Sequence, residues 1–181
     1  MSFSNAQNQL PYYEIPEYPE TYLPGDIMSR MVDGLGFRYY WASDALTPKD
    51  LDYKPSEAAK TTRETIDHIF ELTVFVLRTV KSNAKPDRDF KAKSYEEVRA
   101  LTLNYIQEIS KVLRGKSGEE LAAIELVLGR GNQQRTMPFW NLINGPIEDA
   151  VYHTGQLVSF RRTSGNPVSP NISVLSGKVK K

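Results

Sequence analysis

Three short motifs mark where helices begin in this chain, and they constrain its fold more than any other feature. Each is a capping box, in which a serine or threonine is followed three residues later by a glutamate, and each precedes an apolar run with helical spacing. The boxes are Thr61 to Glu64, Ser94 to Glu97 and Ser117 to Glu120. They predict helices over about 62–81, 95–114 and 118–128.

Apolar periodicity predicts two further helices. The first spans about 27–43 with Asp26 as its N-terminal cap, and the last begins after a cap at Thr136 and continues to Arg162. Pro146 lies inside the last helix and is expected to kink it, because its ring clashes with the carbonyl four residues earlier. No stretch shows convincing strand alternation. We therefore predict an all-α fold, an antiparallel four-helix bundle.

The ends of the chain differ in composition from its centre. Residues 1–24 combine four prolines with four tyrosines, and proline at this density favours an extended arm over a helix. We predict that this Pro/Tyr-rich arm lies across the surface of the bundle, with a strap onto a second subunit as the alternative. Residues 25–167 are expected to form the bundle, and residues 168–181 a loop and a weakly basic tail.

Composition excludes several classes of function. The 181 residues contain no cysteine, which excludes disulfides, thiolate zinc sites and a cysteine nucleophile. The 23 basic and 22 acidic residues nearly balance, which argues against a nucleic-acid partner. No apolar run approaches the ~20 residues that span a bilayer, and the N-terminus does not resemble a signal peptide. We therefore expect a cytoplasmic protein with no membrane partner.

The chain has only two histidines, and both occupy informative positions. Asp149 and His153 lie four residues apart, so their side chains share one face of the last helix and border its apolar stripe. His68 borders the apolar stripe of an earlier helix in the same way. Because helical bundles build metal sites from side chains on facing helices, this pattern has two interpretations. One is a metal site, and the other is a hydrogen-bonded structural cluster.

Three further residues are candidates for a substrate pocket, each with a structural alternative. Glu64 lies one turn before His68 and is a candidate ligand or base, but it also belongs to a capping box. Gln156 is a candidate for holding a substrate or a metal-bound water, or for satisfying a carbonyl at the kink. Trp140 is a candidate pocket wall, although an aromatic residue at a helix start is more often part of the core.

The motif His-Thr-Gly-Gln at residues 153–156 resembles the last-helix motif of the DinB/YfiT-like superfamily of four-helix-bundle metalloenzymes. Residues 61–70 resemble the second-helix segment of that superfamily, and His68 falls on its histidine. Residues 46–55 resemble the linker between the first two helices. The resemblance implies a metal site of His68, Asp149 and His153, in which Asp149 replaces the histidine that the motif usually has.

The resemblance also implies a class of activity. It suggests a divalent metal, zinc or nickel first and manganese next, which would lower the pKa of a bound water or thiol. The reaction would be thiol transfer to, or hydrolysis of, a small-molecule substrate by a homodimer. No catalytic residue can be assigned from the sequence. The missing third histidine and the tyrosine-rich arm favour an alternative, a non-catalytic helical bundle for self-association or partner binding, with a degenerate metal site.

Overall fold

The computed structural model describes residues 10–129 and 131–180, and this part of the chain is mostly helical. Its α-helices are α1 (Pro24–Ala42), α2 (Pro48–Leu51), α3 (Thr62–Val80), α4 (Tyr95–Leu113), α5 (Gly118–Ala122), α6 (Trp140–Leu142) and α7 (Glu148–Ser164). A π-helical segment, Ile143–Ile147, joins α6 to α7. The strands are β1 (Glu125–Leu128), β2 (Arg135–Pro138), β3 (Ile172–Ser173) and β4 (Lys178–Val179). None of the described helices combines the length and the apolar character that crossing a bilayer requires.

The three capping boxes predicted from the sequence are confirmed. At the start of α3, α4 and α5 the hydroxyl residue accepts a backbone N–H three residues later, and the glutamate accepts the N–H of the capping residue. Each box satisfies two of the backbone donors that a helix leaves free at its start. A fourth box, formed by Thr47 and Asp50, starts α2. These helix starts are therefore specified by local sequence.

Among the described residues, four long helices carry most of the buried apolar side chains. α1 packs against α4 and α7, and α3 packs against the same two helices. The largest fully buried side chains include Phe37, Tyr39, Ile66, Phe70, Leu103, Ile106, Leu142 and Leu157. Each such side chain stabilises the fold by about 1.5–3 kcal/mol relative to an exposed position. The contact between α3 and α7 brings the two histidine-bearing helices together.

The predicted cap of the first helix is wrong. α1 begins at Pro24, with Leu23 in the capping position and no side-chain cap. Asp26 lies within the first turn, is buried, and accepts the backbone N–H of Gly115 at 2.9 Å. Thr21 donates a second hydrogen bond to the same carboxylate. Asp26 thus joins the start of α1 to the end of α4 instead of capping its own helix.

A β-hairpin replaces part of two predicted helices. Helix α5 ends at Ala122, and β1 then pairs with β2 in antiparallel register, with Leu128 opposite Arg135. Thr136 lies in β2 and caps no helix, so the last helical region begins only at Trp140. Gly129 has φ +84 at the turn, and a side chain there would collide with the carbonyl of Gln133. The all-α prediction is therefore incomplete, because the described part of the chain also contains two small two-stranded sheets.

The predicted kink at Pro146 is confirmed. The helix passes through a π-helical segment in which Gly145 has non-helical angles, φ −100 and ψ −110. Proline lacks the N–H that a regular helix needs and crowds the preceding turn, and π-helical segments commonly occur at functional sites. Asp149 follows this segment by two residues, so the kink sets the direction from which α7 approaches α3.

The described parts of the two chain ends pack on the helices and on each other. Tyr12 is buried, donates to Asp33 at 3.0 Å, and lies where a side chain at position 36 would otherwise project. The backbone N–H of Ile15 donates to the carbonyl of Gly177 at 2.9 Å. Lys178 forms an ion pair with Glu14 at 3.0 Å. Residues 1–9 of the predicted arm lie outside the described residues, and the division into arm, bundle and tail stays a prediction.

Candidate metal centre

The packing of α3 against α7 brings His68, Asp149 and His153 together. One ligand atom from each residue lies within 4.8 Å of the others. Within residues 10–129 and 131–180, this is the one group of three or more such side chains with that spacing. Two of its members lie one turn apart on α7, and the third comes from α3, as their positions beside the apolar stripes indicate.

The carboxylate of Asp149 lies between the two imidazole rings. Its Oδ2 is 3.4 Å from Nε2 of His68, and its Oδ1 is 3.3 Å from Nε2 of His153. The two rings are nearly perpendicular, with centroids 4.7 Å apart. Both histidines are partly buried, whereas Asp149 is 43% exposed. The group therefore forms a half-buried cluster that solvent reaches from the side of Asp149.

Gln156 is a hydrogen-bond partner of the imidazole ring of His153. Its side-chain Oε1 lies 2.7 Å from Nδ1 of His153. A carboxamide oxygen accepts hydrogen bonds and cannot donate them, so this contact is a hydrogen bond in the tautomer that carries its hydrogen on Nδ1. The Nε2 lone pair of a neutral ring then points toward Asp149. Outer partners of this kind commonly fix the tautomer and the orientation of a metal-binding histidine.

The donor set and its spacing fit a divalent ion. In the neutral tautomer with hydrogen on Nδ1, the Nε2 lone pair of His153 and the Asp149 carboxylate are both acceptors, so a metal ion between them would make this contact favourable. In a tetrahedral zinc site with bonds of about 2.0–2.1 Å, two ligand atoms lie about 3.3–3.4 Å apart. Each nitrogen–oxygen distance at Asp149 matches that spacing, with Oδ2 facing His68 and Oδ1 facing His153, and one ligand atom from each residue lies within 4.8 Å of the others. Two histidines and one carboxylate would leave coordination positions open.

A cleft of about 670 Å³ adjoins the group and is open to solvent. Leu72 and Phe75 from α3 and Leu128 from β1 contribute its apolar wall. Its polar lining includes Asn144 in the π-helical segment, and Glu148, Asp149 and Tyr152 on α7. The cleft is within the size range of small-molecule sites, and Asp149 belongs to both the cleft and the metal centre.

The three pocket candidates predicted from the sequence lie in different places. Gln156 contacts His153 directly. The carboxylate of Glu64 accepts the backbone N–H of Thr61 at 2.7 Å, and hydrogen bonding by Thr61 lowers the pKa of Glu64. Glu64 is therefore engaged in its capping box. Trp140 is exposed and lines a separate, apolar cavity of about 390 Å³ near the start of α1.

Sequence reasoning did not identify the other residues of the cleft. Leu128 reaches it only because β1 pairs with β2, and the four-residue strand lies in a stretch that was predicted to be helical. The glycines at 129 and 131 were a sequence signal for the hairpin, since both adopt the positive φ that its turn requires. Asn144 and Glu148 flank the predicted kink, and nothing in their spacing indicates which surface they face.

The fold and the cluster together define a mostly helical protein with a His/Asp/His group that could hold a metal ion. The fold is similar to that of a solved structure, a DinB-like protein, YjoA, from Bacillus subtilis, with a TM-score of 0.56 and 19% sequence identity. The alignment covers 78% of this chain and 96% of that chain. This similarity confirms the DinB-like fold that the sequence motifs predict. No family model matches the sequence, and no curated protein is significantly similar to it.

Proposed function

We propose that the protein is a divalent-metal-dependent enzyme acting on a small molecule, with the ion held by His68, Asp149 and His153. The observation that carries this proposal is the position of the Asp149 carboxylate between two imidazole nitrogens, at 3.3 and 3.4 Å. A cation between the Asp149 carboxylate and an Nε2 lone pair of His153 would stabilise the arrangement. We expect zinc or nickel, with manganese as the next candidate, because mixed nitrogen and oxygen donors suit these ions.

The side chains of the site have separate roles in this proposal. A divalent ion supplies Lewis acidity and lowers the pKa of a water or thiol ligand. His68 provides a donor from α3, while His153 and Asp149 provide donors from α7, so the site closes only when the two helices pack. Gln156 holds His153 in the tautomer whose Nε2 is free to bind. The adjoining cleft would hold the substrate beside Asp149, for thiol transfer or hydrolysis.

Three further expectations belong to the same proposal. We infer that the four long helices form an antiparallel bundle, supported by the packing of α1 and α3 on the same two helices. We expect a cytoplasmic enzyme. We also expect a homodimer, since the α1 surface exposes apolar side chains at Ile27 and Met31, which are 51% and 42% exposed.

Metal analysis of untagged protein tests the main proposal. Protein incubated with zinc, nickel or manganese and then desalted should retain close to one equivalent of one of them, and the His153→Ala variant should retain far less. Glu71→Gln is the matched control, because Glu71 is 3.8 Å from His68 but lies outside the cluster. Less than a tenth of an equivalent, unchanged in His153→Ala, would refute the proposal.

A second candidate function is self-association without catalysis, in which the cluster is a hydrogen-bonded remnant of a metal site. The exposed apolar side chains around the 390 Å³ cavity favour it, Ile27 and Trp140 above all. Light scattering of the wild type and Ile27→Lys tests this candidate. A dimer that dissociates in the variant, from a protein that binds no metal, would support it, whereas a monomeric wild type would eliminate it.

A further inference from the structure

We propose that the cleft beside the metal centre selects a substrate with an apolar body and a positively charged amine, and that Glu148 binds the amine. This inference rests on the proposed function, since it treats the cleft as the substrate site of that enzyme. It goes further in naming the chemical class of the substrate and the residue that discriminates charge.

The walls of the cleft indicate an apolar body. Leu72 and Phe75 line it from α3, and Leu128 lines it from the hairpin. Tyr152, which is 65% exposed, adds an aromatic ring at the rim. Apolar and aromatic surfaces of this kind gain free energy when they are removed from water. A strongly hydrated ligand such as a sugar would bury little apolar surface against these walls and would gain little of this free energy.

The charge of the cleft indicates an amine. Among the described residues that line it, Glu148 and Asp149 are acidic and none is a lysine or arginine. A divalent ion at the metal centre would offset the charge of Asp149. The carboxylate of Glu148 is exposed in the first turn of α7, and among the described residues none gives it a hydrogen bond or an ion pair. A ligand ammonium could supply both, whereas a ligand carboxylate would be repelled.

The position of Glu148 separates it from the metal ligands. It follows the π-helical segment directly and lies one residue before Asp149, so the two side chains point in different directions around α7. Glu148 lines the cleft but is outside the group whose ligand atoms lie within 4.8 Å. A ligand can therefore place its amine on Glu148 while its body lies along the apolar wall.

Three probes of similar size and different charge test this proposal: 2-phenylethylammonium, 2-phenylethanol and 3-phenylpropionate. Each is titrated into the full chain, and binding is followed through the backbone amide NMR signals of residues 144–152. The ammonium should bind about fivefold more tightly than the carboxylate, since an exposed charge pair changes affinity by up to roughly that factor. The affinity of the alcohol should lie between those of the ammonium and the carboxylate. Equal affinities, a preference for the carboxylate, or no shift at residues 144–152 would overturn the proposal.

Two pairs of matched variants assign the effect to named residues. Glu148→Gln should reduce the preference for ammonium to less than about twofold, while Glu71→Gln, outside the cleft, should keep it. Leu128→Ala should weaken all three probes by about threefold or more through lost apolar contact. Val127→Ala, on the exposed face of the same strand, should not. A preference that survives Glu148→Gln would overturn the role given to that residue.

The same titration separates this inference from the proposed function. His153→Ala should lose metal but keep the preference for ammonium, because Glu148 is not a proposed ligand. If the wild type binds no metal and still prefers the ammonium, the proposed function fails and the charge selectivity of the cleft stands. If it binds metal but shows no preference, the metal proposal stands and the inference about the amine fails.

Discussion

The two ends of α7 use their polar side chains in different ways. Near the C-terminal end Arg161 is only 6% exposed, and it donates to the carbonyl of Trp41 at 2.8 Å and to that of Asn166 at 2.7 Å. Near the N-terminal end the side chain of Asp149 is 43% exposed, and its carboxylate lies 3.4 Å from Nε2 of His68 and 3.3 Å from Nε2 of His153. Other protein groups bind the polar side chain at one end, whereas the carboxylate at the other end stays accessible to solvent.

The C-terminal end belongs to a wider polar junction, formed by Asp50, Arg161, Ser164 and Asn166. Asp50 is buried and accepts hydrogen bonds from Ser164 and Asn166, while Arg161 also binds the side chain of Asn166. Buried polar groups with full sets of partners rigidify a fold. We infer that this junction stabilises the protein more than the partly exposed group at Asp149 does.

The largest expected effect is at the junction. Arg161→Ala should lower the free energy of unfolding by about 3 kcal/mol, because the part-buried carbonyls of Trp41 and Asn166 and the buried carbonyl of Ala42 lose their charged donor. Urea denaturation measures the loss, with the exposed neighbour Arg162→Ala as the control that should stay within about 0.5 kcal/mol of the wild type. Equal losses in both variants would remove the distinction between the two ends of α7.

The next effect is on metal affinity. Gln156→Leu keeps the volume of the side chain but removes the acceptor of the His153 hydrogen bond, so zinc affinity should fall about tenfold, or about 1.4 kcal/mol. Competition with a chromophoric chelator measures it. Ser159→Ala, on an exposed position of α7, is the control. An unchanged affinity in Gln156→Leu would mean that the tautomer of His153 needs no outer partner.

A smaller effect should appear in the way that the stability of the fold depends on pH. Burial by itself raises the pKa of Asp50, but hydrogen bonds from Ser164, the Thr47 backbone and Asn166 outweigh it and hold the pKa well below its ordinary value. The stabilisation is therefore present above about pH 4, the unfolded value, and is lost as the pH falls toward the folded value.

Urea midpoints between pH 3 and pH 6 measure this dependence. They should fall on acidification in the wild type and fall less steeply in Asp50→Asn. Asp52→Asn, at an exposed position, should follow the wild type. Parallel curves for wild type and Asp50→Asn would contradict the role of the carboxylate in the junction.

The smallest expected effect is at the metal centre without metal. Asp149→Asn should change the free energy of unfolding of metal-free protein by less than about 1 kcal/mol, since partly exposed ion pairs contribute little. The same denaturation assay measures it, after treatment with a chelator. A loss above 2 kcal/mol would indicate that Asp149 is part of the structural core, and the contrast with Arg161 would fail.

Local sequence predicted the helix starts because a capping box is complete within four residues. The boxes at Thr61, Ser94 and Ser117 all form as predicted. The cap assigned to Asp26 is wrong because its partner, Gly115, lies 89 residues away. The hairpin was missed for the same reason, since β1 and β2 are four-residue strands whose pairing no local periodicity reveals.

For the candidate site too, local spacing predicts some features, whereas others depend on tertiary packing. Asp149 and His153 share a helix face because they lie one turn apart, which the sequence alone specifies. That His68 meets them depends on the packing of α3 on α7, and the motif resemblance anticipated it. The contact of Gln156 with His153 and the cleft wall at Leu128 depend on rotamers and strand pairing, which spacing does not encode.

The contact between the chain ends has a consequence for synthesis on the ribosome. Lys178 and Glu14 are 164 positions apart, and Gly177 receives the hydrogen bond of Ile15. At the usual rates of translation, about 5–20 residues per second, the early segment emerges about 10–30 seconds before its partners. During that interval the segment around Ile15 lacks these contacts, and a chaperone that binds apolar nascent segments would compete for it until residue 178 has emerged.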